Sequence, residues 1–150
     1  MTSIQEQFFS DGTCFGCGPA NPKGLQIKSY ADDDGLVRAR FTGWPEHDNG
    51  LGFLNGGIIA TVLDCHSAAA VILTANERGW PALPGAALPY VTAGLQVRYL
   101  RPTPHRDEVL LVAEILTADE AAMTAKVWIE HDGKPRAEAE ALWKRWRPRP

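Results

Sequence analysis

Asn55-Gly56-Gly57-Ile58-Ile59-Ala60-Thr61-Val62-Leu63-Asp64-Cys65-His66-Ser67-Ala68-Ala69-Ala70-Val71-Ile72-Leu73 is the stretch on which the reading of this chain turns. An asparagine, a favoured N-cap residue, precedes two glycines and a run whose alanines and leucines favour helix. The spacing predicts one helix from about Asn55 to Glu77, ended by Arg78-Gly79. Apolar residues fall on every side of it, so in a soluble chain it is surrounded by protein rather than laid on a surface. Asp64 in the middle of that run is costly unless it is paired, hydrogen-bonded or used.

The flanks on both sides read as strands. Before the helix, Leu25–Tyr30 and Leu36–Phe41 flank Asp32-Asp33-Asp34-Gly35, a hairpin signal. A loop rich in Gly, Pro, Asn and Asp then leads from Thr42 to Leu54. After the helix, Trp80–Pro89 is a proline-containing loop, and alternating or apolar runs follow over Leu95–Tyr99, Val109–Leu116, Met123–Glu130 and Ala137–Lys144, separated by turns. The inward face of the last run, Ala137, Ala139, Ala141 and Trp143, is mostly small and leaves room for a helix. The predicted class is therefore α+β, an antiparallel sheet packed on one long helix, in a single domain over residues 1–150. Residues 1–24 form a leading segment, with a short helix over Ser3–Phe9 and a punctuated turn over Cys14–Leu25; residues 144–150 form a basic tail read as solvated.

Composition narrows the function. The formal charge of -3 argues against a general nucleic-acid binder. Ile58–Leu73 is read as too short, and too polar at Asp64 and His66, to span a membrane; with no secretory signal pattern, a cytoplasmic location is expected. Three cysteines suit reduced thiols better than a disulfide framework. Cys14 and Cys17 have half the spacing of a zinc site, but structural zinc takes four ligands and only Cys65 and scattered histidines remain, so no metal is expected.

The chemistry suggested by the helix concerns its first turn and Asp64. Its first turn presents backbone N–H groups without intrahelical partners and a positive dipole end, and Gly56 and Gly57 let a carbonyl approach. Such a site can stabilise an oxyanion while Asp64 serves as general base or nucleophile. Asp64 lies seven residues beyond Gly57, roughly 10 Å along the axis, too far to serve a carbonyl bound at its own amino terminus. A two-fold dimer with antiparallel helices would bring Asp64 of one chain near Gly57 of the other.

The order of elements resembles the hotdog fold, an antiparallel sheet wrapped around one long central helix. Asn55-Gly56-Gly57 through Asp64 is similar to the His-Gly-Gly…Asp motif of hotdog acyl-CoA thioesterases, in the phenylacetate-pathway (PaaI-like) branch and its sister branch. The opening Cys14-Phe15-Gly16-Cys17-Gly18-Pro19-Ala20-Asn21-Pro22-Lys23-Gly24-Leu25 is similar to a signature before the first strand in several of them. This resemblance implies hydrolysis of acyl-CoA thioesters without cofactor or metal, by a homodimer that can pair into a homotetramer. It implies that Gly57 donates its N–H to the thioester carbonyl and that Asp64 acts across the dimer. It further implies that Asn49 and Thr92 help place the carboxylate or the water. Asn55 stands where the family's usual histidine would; it can cap and donate one hydrogen bond but cannot take up a proton. Asn55 and Gly56 complete the substrate-binding turn, Arg98 and Arg101 could meet the phosphates of coenzyme A, and the acyl group would enter between helix and sheet beside the loop after the helix.

Other readings stand beside this one. The glycines could serve close packing, Asp64 could be a structural carboxylate, and Arg98 and Arg101 could be ordinary charges on an exposed face. Cys65 reads as a packed small hydrophobe, and His66, about 200° round the helix from Asp64, as a hydrogen-bonded core or interface residue. His47 and His105 read as solvated loop residues. A non-catalytic acyl-CoA binding module and an enoyl-CoA hydratase or dehydratase on the same fold are the alternative functions; the missing histidine at position 55 speaks against the latter.

Overall fold

The computed structural model describes all of residues 1–150. The Asn55 side-chain oxygen accepts from the N–H groups of Gly57 (2.8 Å) and Ile58 (3.2 Å). That satisfies two of the orphan donors of the long helix, α2, which spans Gly56–Glu77. Gly79, at φ 74°, supplies the left-handed residue beyond its end. A five-residue helix, α1 (Ile4–Phe8), opens the chain with a Ser3–Glu6 capping box.

Six strands, β1 (Ser29–Ala31), β2 (Val37–Thr42), β3 (Tyr90–Tyr99), β4 (Glu108–Ala118), β5 (Ala122–His131) and β6 (Lys134–Arg145), form one sheet in the order β1-β2-β4-β5-β6-β3. Every neighbouring pair is antiparallel. The expected class holds: one helix lies against one antiparallel sheet. Ala137 and Ala141 are fully buried and Ala139 nearly so, so the small face of β6 lets α2 come close. Trp143 Nε1 then donates to Ser67 Oγ (3.0 Å), and Ser67 Oγ donates to the Asp64 carbonyl (2.8 Å), tying sheet to helix.

The structure corrects the sequence reading in four places. Leu25 and Ile27 are buried in alternation as expected, yet only Ser29–Ala31 pairs as a strand. Gln26 sits at φ 53°, and the N–H groups of Leu25 and Ile27 go to the carbonyls of Phe15 and Gly16 in the cysteine turn. β3 begins at Tyr90 rather than Leu95, because a bulge after Thr92 hides its alternation. α2 is 22 residues long and apolar enough to cross a membrane, so length does not exclude a span; its most apolar window is 67% buried within the protein instead. Finally, the basic tail is not wholly solvated. Arg145 ends β6, stacks on Tyr90 and donates to the carbonyls of Trp80 and Pro81, holding the loop after α2.

His66 is fully buried, with Nδ1 2.9 Å from Ser29 Oγ and Nε2 2.9 Å from the Val37 carbonyl. It pins α2 to β1 and β2, the structural role expected of it. Burial lowers its pKa from 6.5 to about 4. The unfolded chain therefore takes up a proton below pH 6.5 while the native chain does so only below about 4, so stability is lost as pH falls through that window. Chemical denaturation should show this term as about 2–3 kcal/mol between pH 7.5 and 4.5. In a His66→Gln chain the acid-side slope should be shallower by that amount; an unchanged slope would overturn the assignment.

Candidate active site

The start of α2 is open. Asn55 and Gly57 are exposed and Gly56 half-buried. A methyl group at Gly56 would touch only the Tyr99 ring, at 3.5 Å, and one at Gly57 only the Asn55 side-chain oxygen, at 3.1 Å. No neighbouring backbone presses on either glycine, so close packing of a loop does not account for them. Tyr99 Oη donates to the Gly56 carbonyl (2.8 Å) and fixes one wall.

The backbone donor expected to meet a carbonyl is not free. Gly57 N–H points at Asn55 Oδ1, so the cap holds the place assigned to a ligand oxygen. Asn55 itself is set from behind, its N–H donating to the His47 carbonyl (2.8 Å). His47 is buried, not solvated as expected: it stacks on Trp44 and Phe41, and its Nδ1 accepts from the Trp44 N–H. Burial lowers its pKa. His105 is also taken up, half-buried with Nε2 against the Trp44 carbonyl.

A groove of about 400 Å³ runs beside the helix start, lined among others by Asn49, Phe53, Gly56, Tyr99, Arg101 and Thr103. It is bounded by the loop before the helix, whereas the loop after the helix was expected to line the acyl slot. Asn49 stands on its rim, but Asn49 Oδ1 accepts from the N–H groups of Leu51 and Phe53 and so braces the loop. Arg101 lines the same groove while donating to the Pro135 carbonyl. Arg98 does not join it; it lies cross-strand from Glu138, 3.4 Å from that carboxylate, on an open face. Thr103 was missed by the sequence reading. Its hydroxyl is buried without a partner beside the groove, and no local motif marks it.

Asp64 is half-buried midway along α2, and its Oδ1 accepts from Thr92 Oγ1 at 2.7 Å within the same chain. The bulge immediately after Thr92 breaks the pleat where this side chain turns to the helix. Burial raises the Asp64 carboxyl above its ordinary 3.8; the Thr92 hydroxyl opposes that shift and nearby Cys14 adds to it. Asp64 and Thr92 thus form one unit; Asn55, Gly56, Gly57, Asn49 and Arg101 cluster at the helix start. Roughly 10 Å of helix separates Gly57 from Asp64.

The Thioesterase superfamily profile matches residues 51–136, which contain Asp64, Thr92 and all of the helix-start group except Asn49. Acyl-coenzyme A thioesterase 13 from Mus musculus is 32% identical over 82 residues, covering 55% of this chain; the chain spans about half of that relative's length, 51%. A phenylacetic acid degradation-related protein from Ralstonia eutropha JMP134 superposes with TM-score 0.71 at 20% identity, covering 95% of this chain and 99% of its own. A Bacillus halodurans protein solved with CoA superposes with TM-score 0.64 at 25% identity, covering 83% and 77%. With its antiparallel sheet wrapped on one long helix and its motif region inside the matched span, this chain belongs to the thioesterase superfamily and has the hotdog fold.

Proposed function

We propose that the protein hydrolyses acyl-CoA thioesters, in a homodimer whose sites each combine the helix start of one chain with Asp64 of the other. The observation that carries this reading is the half-buried Asp64 carboxylate held by Thr92 at 2.7 Å, in a family of thioesterases. A carboxylate with a raised pKa in a partly dry site is suited to accept a proton from water or to attack a carbonyl carbon directly. The CoA-bound relative and the acyl-CoA thioesterase relative support the substrate class.

Dimerisation is supported by the sheet. β3 is a ten-residue edge strand with one ladder partner, β6, and Val91, Tyr99 and Leu100 are exposed along it. An edge of that length and character is a template for pairing with a second copy. Pairing across a two-fold axis lays two α2 helices side by side and supplies the Asp64 that a single chain cannot offer its own helix start.

Asn55 then has two states. In the free protein its oxygen caps Gly57 and Ile58; a thioester carbonyl takes over the Gly57 N–H, and rotation of the amide presents Nδ2 to the same oxygen. Two donors thereby meet the charge that develops on the carbonyl oxygen. The alternative, a binding module without turnover, draws on the same Asn55–Gly57 bond left unbroken.

Thiol release from a panel of acyl-CoAs tests the reading directly, and no turnover of any of them by folded dimer would sink it. Asp64→Asn should lower kcat/KM by about 100- to 10,000-fold. Asn55→Asp should keep the cap, since Asp caps as well as Asn, yet lower kcat/KM at least about 100-fold because it cannot donate and repels the oxyanion. Mixing these two inactive chains should restore about one quarter of wild-type activity through the intact site of each mixed dimer; no restoration would refute the shared site. The carboxylate must be ionised, so activity falls as pH drops through the raised Asp64 pKa. Thr92→Val removes the hydroxyl that favours the charged form and should move this acid limb to higher pH.

A further inference from the structure

Cys14, Cys17 and Cys65 place three sulfur atoms within 4.8 Å of one another. The sequence shows one Cys-x-x-Cys pair and a distant Cys65; the fold brings the Cys65 sulfur from α2 to that pair. The Cys14 and Cys65 sulfurs are 3.6 Å apart. Sulfurs about 2.3 Å from a tetrahedral ion lie about 3.8 Å from each other, whereas a disulfide needs about 2.05 Å. The Cys14–Cys65 separation, which a thiol hydrogen bond also spans, is too long for a disulfide and fits two ligands of a common ion.

The turn is shaped for these sulfurs. The Gly18 N–H donates to the Cys14 carbonyl (2.9 Å) and closes the loop between the paired cysteines. A side chain at Gly16 would meet the Cys65 sulfur at 2.2 Å, and one at Gly18 would strike the Cys14 nitrogen at 2.4 Å. Gly16 therefore lets the turn lie against α2, and Gly18 lets the turn close on its own backbone. Cys17 and Cys65 are buried and Cys14 is exposed, so the cluster is closed towards the core and open on the Cys14 side. We propose that Cys14, Cys17 and Cys65 bind a thiophilic divalent ion of the zinc class, with water as the fourth ligand on the exposed side. Three thiolates favour such an ion over the oxygen-seeking divalent metals. On binding, three sulfur–metal bonds form, the thiol protons pass to solvent, and no electron is transferred. The ion would fasten the amino-terminal turn to the helix at the residue after Asp64. This site is independent of the thioesterase reading.

The test is anaerobic titration of the full chain with Co²⁺ and Zn²⁺, together with metal analysis of protein purified without chelators. The expected result is about one ion per chain, a sulfur-to-cobalt charge-transfer band in the near ultraviolet, and a rise in Tm with Zn²⁺. Cys14→Ser, at an exposed position that leaves the core intact, should weaken binding at least tenfold and abolish the Tm rise. Wild-type protein with no sulfur-bound cobalt, Cys14→Ser binding as tightly as wild type, or a Cys14–Cys65 disulfide in the anaerobically purified chain would each overturn the site.

Discussion

Everything functional here depends on how the first turn of α2 satisfies its backbone donors. A helix start left bare towards water is a weak anion site, and one filled by a rigid cap is none. Asn55 fills it with a neutral, exposed side chain whose oxygen accepts from Gly57 and Ile58. The buried layer behind it is stiff: His47 stacks on Trp44 and hands its carbonyl to the Asn55 N–H. In the proposed function, exchanging the Asn55 side-chain oxygen for its nitrogen would change the site from self-capped to ligand-binding.

The sheet imposes the second constraint. A fully apolar helix needs protein on all sides, and one curved sheet can cover only part of it. Of the α2 residues, Ile59, Val62, Leu63, Val71 and Ile72 are buried by the chain's own sheet and leading segment, whereas Asp64 and Thr61 stay half-open. The uncovered side carries the carboxylate. In the proposed dimer, burying it further would raise the pKa again, so that the contact completing the site would also tune its base.

Much of this was legible from residue patterns. The cap, the all-round apolar helix, and the Ala137-Ala139-Ala141 face together dictate one helix on one sheet, because no other arrangement buries that helix against small residues. The Asp64–Gly57 mismatch within one helix was likewise readable from spacing alone. What escaped reading was tertiary. Leu25 and Ile27 alternate like a strand, but their donors are claimed by the cysteine turn, a competition invisible to periodicity. His47 and His105 sit in loops by sequence, yet His47 stacks on aromatic rings and His105 is half-buried against the Trp44 carbonyl. Thr103 carries no motif, and although Cys65 is in view as a third sulfur, nothing in the sequence shows that α2 sets it beside Cys14 and Cys17.

The bulge in β3 bears on how this chain tolerates changes in length. Between Glu77 and Tyr90 a residue can be gained or lost in a loop whose ends are held by Arg145, and the strand beyond keeps its pairing. Within Thr92–Gly94 the same change is not neutral, since it alters the one extra residue that the bulge carries against β6. Deleting Ala93 would leave Thr92 opposite Trp143 on the helix side but remove the extra residue whose local twist sets Thr92 against Asp64. Length variation among sequences of this type should therefore accumulate before Tyr90 and stop there, which makes the bulge a fixed reference point for aligning them.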